Sequence, residues 1–231
     1  GGTAYTYDDN GNRTSETSAA GTATYVWDSR NRLQSMTTAS GQTLAFVYDP
    51  AGNMIMQSSS GPAGNSVQNF VLDDLTNVAY QTATSGGPLS ILAGRGIDSH
   101  VATISPGGTS AFALFDAINS TEAVTDASPT IIGRFFYEPY GQTSTAGAQF
   151  TFQYTGRVPV ASGLYYYRAR YYDSQVGRFL SEDPIGLRGG INFYRYVSNN
   201  PTNLADPFGT QVAEAVVAGT TVATGGGIVG A

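Results

Sequence analysis

The chain has 231 residues, a formal net charge of −6, one histidine and no cysteine. Eleven Lys and Arg residues are too few for an evident phosphate-binding patch, so we expect no nucleic-acid partner. The lack of cysteine excludes disulfides and thiolate metal sites within these residues, and one histidine excludes a multi-histidine metal centre, so we expect no cofactor.

The composition favours an all-β fold. Charged residues make up 12% of the chain, about half the usual share of a globular domain. Glycine is abundant, with 29 residues, and there are 15 tyrosines. Many glycines and tyrosines with few charges indicate short strands joined by tight turns.

The first third of the chain is repetitive. An aromatic residue followed by Asp recurs at Asp8, Asp28 and Asp49, at spacings of 20 and 21, and a weaker unit without the aromatic ends at Asp73. Each unit is an alternating strand, an Asp-led turn containing Gly or Asn, and a return strand. Since so short a unit cannot bury its own apolar face, we expect residues 1–78 to stack as a coiling antiparallel sheet.

Two other interpretations of the repeats stay open. The aromatic residues Tyr25, Trp27 and Tyr48 would either pack as a ladder on one sheet face or stack on carbohydrate. The run from Asp8 to Asn12 is similar to a calcium loop, but Ala19 stands where such a loop needs Glu.

Residues 79–163 continue the alternation less regularly, with Gly- and Pro-containing turns between short apolar runs. Here we expect a β continuation of the sheet. His100 is the single histidine, and we expect it to be a core or surface residue rather than a catalyst.

Two Asp-Pro-x-Gly units begin at Asp183 and Asp206, 23 positions apart, in the stretch 164–209 that is also densest in aromatics and arginine. On spacing alone each unit predicts a tight turn that its Asp side chain stabilises. The alternative is that the two carboxyls meet, share one proton and act as general acid and general base. Arg170 is then the cation that would orient the pair.

These residues resemble the C-terminal core of the Rhs/YD-repeat family and the similar C components of bacterial toxin complexes. The shared pattern is carried by RYYD at 170–173, GRF at 177–179, DPIGLRGG at 183–190 and NFYRYVSNNPTNLADPFG at 192–209. The family's FTGR step is approximated at 154–157.

The resemblance implies a β-spiral shell closed at one end by a plug segment, residues 164–209. In the family this plug is an intramolecular aspartyl protease, and its arginine and two aspartates fall on Arg170, Asp183 and Asp206. The implied cut lies between Thr210 and Gln211, or one residue either side. Thr210 stands where the family usually has Leu.

The resemblance also implies a bacterial secreted or cell-surface protein, of which this chain is a piece. Its implied partners are its own variable C-terminal polypeptide, typically a toxin, and a secretion apparatus. Residues 210–231 are expected to begin that variable region as a linker, with a membrane segment as the alternative. The competing function is a non-enzymatic adhesin that binds target-cell carbohydrate through Tyr25, Trp27 and Tyr48.

Overall fold

A computed structural model describes residues 2–74, 76–84, 86–161 and 163–210, together with two short strands at 214–217 and 220–222. The fold is almost entirely antiparallel β, which confirms the predicted all-β class. Three sheets and three short 3₁₀ turns account for the regular structure of these residues.

The large sheet is an open meander in which each strand pairs with the next along the chain. Within the described residues it has fourteen strands: β1 (Ala4–Tyr7), β2 (Arg13–Ser18), β3 (Gly21–Trp27), β4 (Leu33–Thr37), β5 (Thr43–Tyr48), β6 (Met54–Ser60), β7 (Ser66–Leu72), β8 (Val78–Ala83), β9 (Leu89–Ala93), β10 (His100–Ile104), β11 (Ser110–Phe115), β12 (Thr121–Thr125), β13 (Ile131–Tyr137) and β14 (Thr143–Gly147).

The Asp-led turns have one shared geometry. At Asp8 the carboxylate Oδ1 accepts the backbone N–H groups of Asn10 and Asn12, at 3.0 and 2.8 Å. The fourth turn residue, here Gly11, has a positive φ of 73°, which Gly and Asn tolerate best. Since Oδ2 accepts the Asn12 side chain at 2.9 Å, both carboxylate oxygens of Asp8 stabilise the turn.

The same turn occurs at Asp73 and Asp116, where the aromatic-Asp signal is weak or distant from the repeats. Asp73 Oδ1 accepts the N–H of Asn77 at 2.8 Å, and Asp116 Oδ1 accepts that of Ser120 at 2.7 Å. The hairpin meander therefore runs without interruption from the repeats to β14.

One face of the large sheet forms the main core. Along β5, Leu44 and Phe46 are buried while Val47 is exposed, as the two-residue period of a strand requires. The buried face packs against a second sheet of four strands: β15 (Val158–Ala161), β16 (Leu164–Tyr167), β17 (Arg170–Asp173) and β18 (Arg178–Phe179).

The remaining regular elements are short. The 3₁₀ turns span Tyr154–Gly156, Gly186–Gly189 and Val197–Asn199, and the third sheet has the strands β19 (Leu204–Ala205), β20 (Glu214–Val217) and β21 (Thr220–Val222). Most of the predicted variable tail, 210–231, lies outside the described residues.

The predicted divisions at residues 78, 163 and 209 stay a prediction. The sheets themselves change between β14 and β15, and β15 pairs with β16 across position 163.

Polar contacts also join the plug segment to the large sheet. Arg13 of β2 pairs with Asp173 of β17 at 2.8 Å, with both side chains buried. The hydroxyls of Tyr48 and Tyr171 are 2.7 Å apart, and the N–H of Met54 donates to the Tyr166 hydroxyl at 2.8 Å. The large sheet thus holds the small sheet in a defined orientation.

Candidate functional site

Three separate elements bring Arg170, Asp183 and Asp206 together. Arg170 is the first residue of β17, Asp183 opens the turn that follows β18, and Asp206 follows β19. The turns at Asp183 and Asp206 are the two Asp-Pro-x-Gly units of the sequence. The predicted site residues are therefore neighbours in space.

The three side chains form a buried ion cluster. Arg170 Nη2 lies 2.9 Å from Asp183 Oδ2 and 3.6 Å from Asp206 Oδ2. The side-chain exposure is 0% for Arg170 and Asp183 and 1% for Asp206. Two buried carboxyls and one buried guanidinium have a net charge of −1 when both acids are ionised.

The arginine is held by groups other than the two acids. Nη1 donates to the Phe193 carbonyl at 2.9 Å, and Nε donates to the Gly209 carbonyl. The guanidinium carbon lies 3.6 Å from the centre of the Phe179 ring. These contacts set the plane of the guanidinium, which is what a group that orients a carboxyl pair requires.

Each aspartate has two roles, one per oxygen. Asp183 Oδ1 accepts the N–H of Ile185 at 3.0 Å, while Asp206 Oδ1 accepts those of Gly209 and Thr210 at 2.8 and 3.1 Å. The Oδ2 atoms face Arg170. Each aspartate thus stabilises its turn with one oxygen and faces Arg170 with the other, so the two interpretations of the sequence do not exclude each other.

Burial shapes the protonation of this cluster. Removal from water raises the pKa of Asp183 above its usual value, and the nearby Arg170 charge only partly opposes that effect. Burial also lowers the pKa of Arg170 to about 10, so the guanidinium stays charged at neutral pH.

The end of the second Asp-Pro-x-Gly unit packs closely against the connection between β16 and β17. Gly209 has a φ of 70°, and a Cβ there would stand 2.1 Å from the Tyr167 carbonyl oxygen, so only glycine fits. The Ala169 N–H donates to the Phe208 carbonyl at 3.2 Å. Thr210 lies beside Asp206, whose Oδ1 accepts its N–H at 3.1 Å, whereas its predicted cleavage partner Gln211 is outside the described residues.

The aromatic residues predicted to bind carbohydrate in the alternative interpretation pack toward the protein interior. Tyr25 is 6% exposed. The Trp27 indole N–H donates to the Arg13 carbonyl at 2.8 Å, and the Tyr48 hydroxyl donates to the Leu33 carbonyl at 2.6 Å. Their polar atoms are occupied and their rings contribute to the core, so the geometry favours the packing ladder.

His100 is a core residue, as expected. It is buried, its ring stacks on Phe152 with 3.5 Å between centroids, and burial lowers its pKa to about 4. Within the described ranges, no cluster of three or more His, Cys, Asp or Glu residues could hold a metal ion. No helix in the described part of the chain is both apolar and long enough to cross a membrane.

A second buried ion cluster was not anticipated. Asp98, at the β9–β10 turn, pairs with Arg157 and Arg168, and both arginines donate to the Pro207 carbonyl. The arginine of the FTGR step was visible in the sequence, but no local spacing connects it to a turn about 60 residues earlier.

Comparisons with known proteins agree with the repeats. The RHS Repeat family model matches residues 27–66. The tRNA3(Ser)-specific nuclease WapA of Bacillus spizizenii is 31% identical over 227 residues, covering 92% of this chain and 9% of that protein. Toxin subunit YenC2 of Yersinia entomophaga is 43% identical over 91 residues, covering 36% of this chain and 9% of that protein. The chain thus spans about a tenth of the length of these relatives.

The fold is that of solved toxin-complex proteins. A chain in the Photorhabdus luminescens Tc holotoxin pore aligns with a TM-score of 0.67 at 22% identity, covering 95% of this chain and 14% of that one. A chain in the TcdB2-TccC3-Cdc42 crystal structure gives a TM-score of 0.66, also at 22% identity, covering 90% of this chain and 13% of that one. The matched repeats, the similarity to toxin proteins and the shared fold identify the chain as a member of the Rhs/YD-repeat family.

Proposed function

We propose that residues 164–210 form an intramolecular aspartyl protease that cuts its own chain next to Thr210. The observation that carries this proposal is the buried contact of Arg170 with both Asp183 and Asp206. The N–H groups of Gly209 and Thr210 donate to Asp206, so the predicted cleavage region lies next to this contact. A proton shared by two carboxyls supplies a general acid and a general base at one place.

In the proposed reaction, the ionised member of the acid pair takes a proton from water, and the water oxygen attacks a peptide carbonyl carbon. The protonated member then gives its proton to the leaving nitrogen as the C–N bond breaks. Arg170 fixes the pair and polarises a carbonyl, as its Nε contact with the Gly209 oxygen illustrates. The nitrogen of that same peptide bond, Thr210 N, donates its hydrogen to Asp206 Oδ1, so Asp206 lies within reach of the leaving nitrogen.

The wider function we propose is that of a shell. The meander would form part of the wall, the small sheet would close it, and the variable polypeptide after residue 210 would be the cargo. Relatives named as a toxin subunit and a tRNA nuclease support a toxin cargo and a bacterial secreted or cell-surface location. With a net charge of −6, we assign any nucleic-acid chemistry to the cargo and not to these residues.

The direct test is to express the full chain with a C-terminal tag and measure intact masses after denaturation. We expect two products that meet at the Thr210–Gln211 bond or one residue either side of it, formed at a rate independent of protein concentration because the reaction is intramolecular. A chain that keeps its full mass at all times and pH values would refute the protease.

Cleavage should be faster at mildly acidic pH than at alkaline pH. The raised pKa of Asp183 means that the folded protein holds this proton at pH values above 3.8, the ordinary value for Asp, and loses it as pH rises through the folded pKa. The rate should therefore fall on that alkaline side, as measured by mass spectrometry after refolding into a series of buffers. A rate that rises steadily with pH would exclude an acid role for the pair.

A further inference from the structure

The second ion cluster, formed by Asp98, Arg157 and Arg168, donates hydrogen bonds to the turn that contains Asp206. Arg157 Nη2 donates to the Pro207 carbonyl at 2.6 Å, and Arg168 Nη1 donates to the same oxygen. A carbonyl oxygen has two lone pairs, and here two guanidinium groups occupy them. The exposed side-chain fractions of Asp98, Arg157 and Arg168 are 7%, 4% and 11%.

Asp98 is what allows two arginines to stand side by side. Its Oδ2 contacts Arg157 Nη2, and its Oδ1 lies 2.8 Å from Arg168 Nη2. Without this carboxylate two buried cations would repel each other with no compensating charge. The remaining donors of Arg168 reach Thr76, with Nε 2.7 Å from the hydroxyl and Nη2 3.3 Å from the carbonyl.

The cluster joins two parts of the fold. Thr76 and Asp98 belong to turns of the large sheet, between β7 and β8 and between β9 and β10. On the other side, Arg157 directly precedes β15, Arg168 lies between β16 and β17, and Pro207 follows β19. The large-sheet side is itself fixed, since the Asp98 N–H donates to Asn77 at 2.6 Å and its carbonyl accepts from Asn119 at 2.6 Å.

The held atom lies close to the proposed chemistry. Pro207 follows Asp206 directly, and its ring fixes its own φ, so fixing the Pro207 carbonyl also limits the orientation of Asp206. Arg168 is two positions before Arg170. The cluster thus touches neighbours of two members of the acid–arginine site, and the negative charge of Asp206 acts on Arg157.

We propose that Asp98, Arg157 and Arg168 are positioning residues through which the turns of the large sheet align Asp206 and the segment after it for self-cleavage. This inference rests on the proposed protease. It makes the completed hairpins β7–β10 a requirement for cutting, so that the cargo would be released only after this part of the wall has folded.

The test uses Arg168→Lys in the full chain. Lysine keeps the positive charge beside Asp98 but has no fork of donors to reach Asp98, Thr76 and Pro207 together. Since a misplacement of ~1 Å can cost about 100-fold in rate, we expect the cleavage rate to fall about 10-fold or more. Hydrogen exchange at the Gly209 and Thr210 amides should accelerate, while the amides of β5 and β6 should exchange as before.

Arg32→Lys is the matched control. Arg32 also makes a forked contact with an aspartate, Asp28, at 2.7 and 2.8 Å, but in a repeat turn that is not part of either ion cluster. Its cleavage rate and the exchange at Gly209 and Thr210 should stay within about twofold of wild type, because this ion pair is partly exposed to solvent.

The outcomes separate the two proposals. If the wild type does not cut, the protease fails, while exchange at Gly209 and Thr210 still tests the positioning role. Arg168→Lys with wild-type cleavage and exchange would overturn that role. If Arg168→Lys loses protection throughout the chain, Thr76→Val is the second test, because it removes only the hydroxyl contact with Arg168 Nε. Slower cleavage with a local loss of protection in Thr76→Val would support the positioning role. Wild-type cleavage and exchange in Thr76→Val would reject it.

Discussion

Asp183→Asn and Asp206→Asn are each expected to keep the chain intact where the wild type cuts itself. Asn retains a side-chain oxygen for the turn N–H groups that Oδ1 of each aspartate now accepts. It removes the titrating oxygen that faces Arg170. Loss of general acid–base catalysis costs about 100- to 10,000-fold in rate, which would be read from time courses of intact mass.

Asp126→Asn is the control for the turn function alone. Asp126 Oδ1 accepts the N–H groups of Ser128 and Thr130 at 2.8 and 2.9 Å, in the same manner as the candidate acids, but its turn is exposed. This variant should cut at the wild-type rate. If either candidate variant also cuts at that rate, its aspartate only stabilises a turn and the proposed acid pair is wrong.

Arg170→Met is expected to destabilise the fold by about 3–5 kcal/mol, because it leaves the buried carboxyls of Asp183 and Asp206 without their cation. It also leaves the Phe193 and Gly209 carbonyls without their donor. Cleavage should be lost together with stability. The free energy of unfolding would be measured by urea denaturation at neutral pH.

Two further variants show whether the loss of stability comes from the unpaired buried charge. Arg32→Met removes a partly exposed pair and should cost only about 0–1 kcal/mol. Adding Asp183→Asn and Asp206→Asn to Arg170→Met should recover much of the lost stability, since no unpaired charge then remains buried. Failure to recover would show that the arginine acts through packing on Phe179 and not through charge.

The sequence was most informative where structure depends on neighbours in the chain. Asp at the first position of a turn and Gly or Asn at the fourth are local requirements, met at Asp28 and Asp49 by Asn31 and Gly52 with positive φ. The strand alternation and these turns predicted the all-β meander. Thr76 has the same backbone conformation without the usual residue type, so this turn was harder to recognise.

The candidate site could be predicted only in part from the sequence. Spacing could not choose between a turn and an acid pair at Asp183 and Asp206, and the structure shows that each carboxylate stabilises its turn with one oxygen and contacts Arg170 with the other. Arg170 was a candidate because it lies near Asp183 in the chain, and the resemblance to the family places the family's arginine at the same position. The roles of Asp98, Arg157 and Arg168 had no local signal.

By itself, therefore, the sequence determined the strands, the turns and the presence of two Asp-Pro-x-Gly units, because backbone angles and alternate burial are set within a few residues. Only the tertiary structure decided which charges meet. Arg157 reaches Asp98 across 59 positions and Pro207 across 50, and such contacts depend on how two sheets pack, which no short-range spacing encodes.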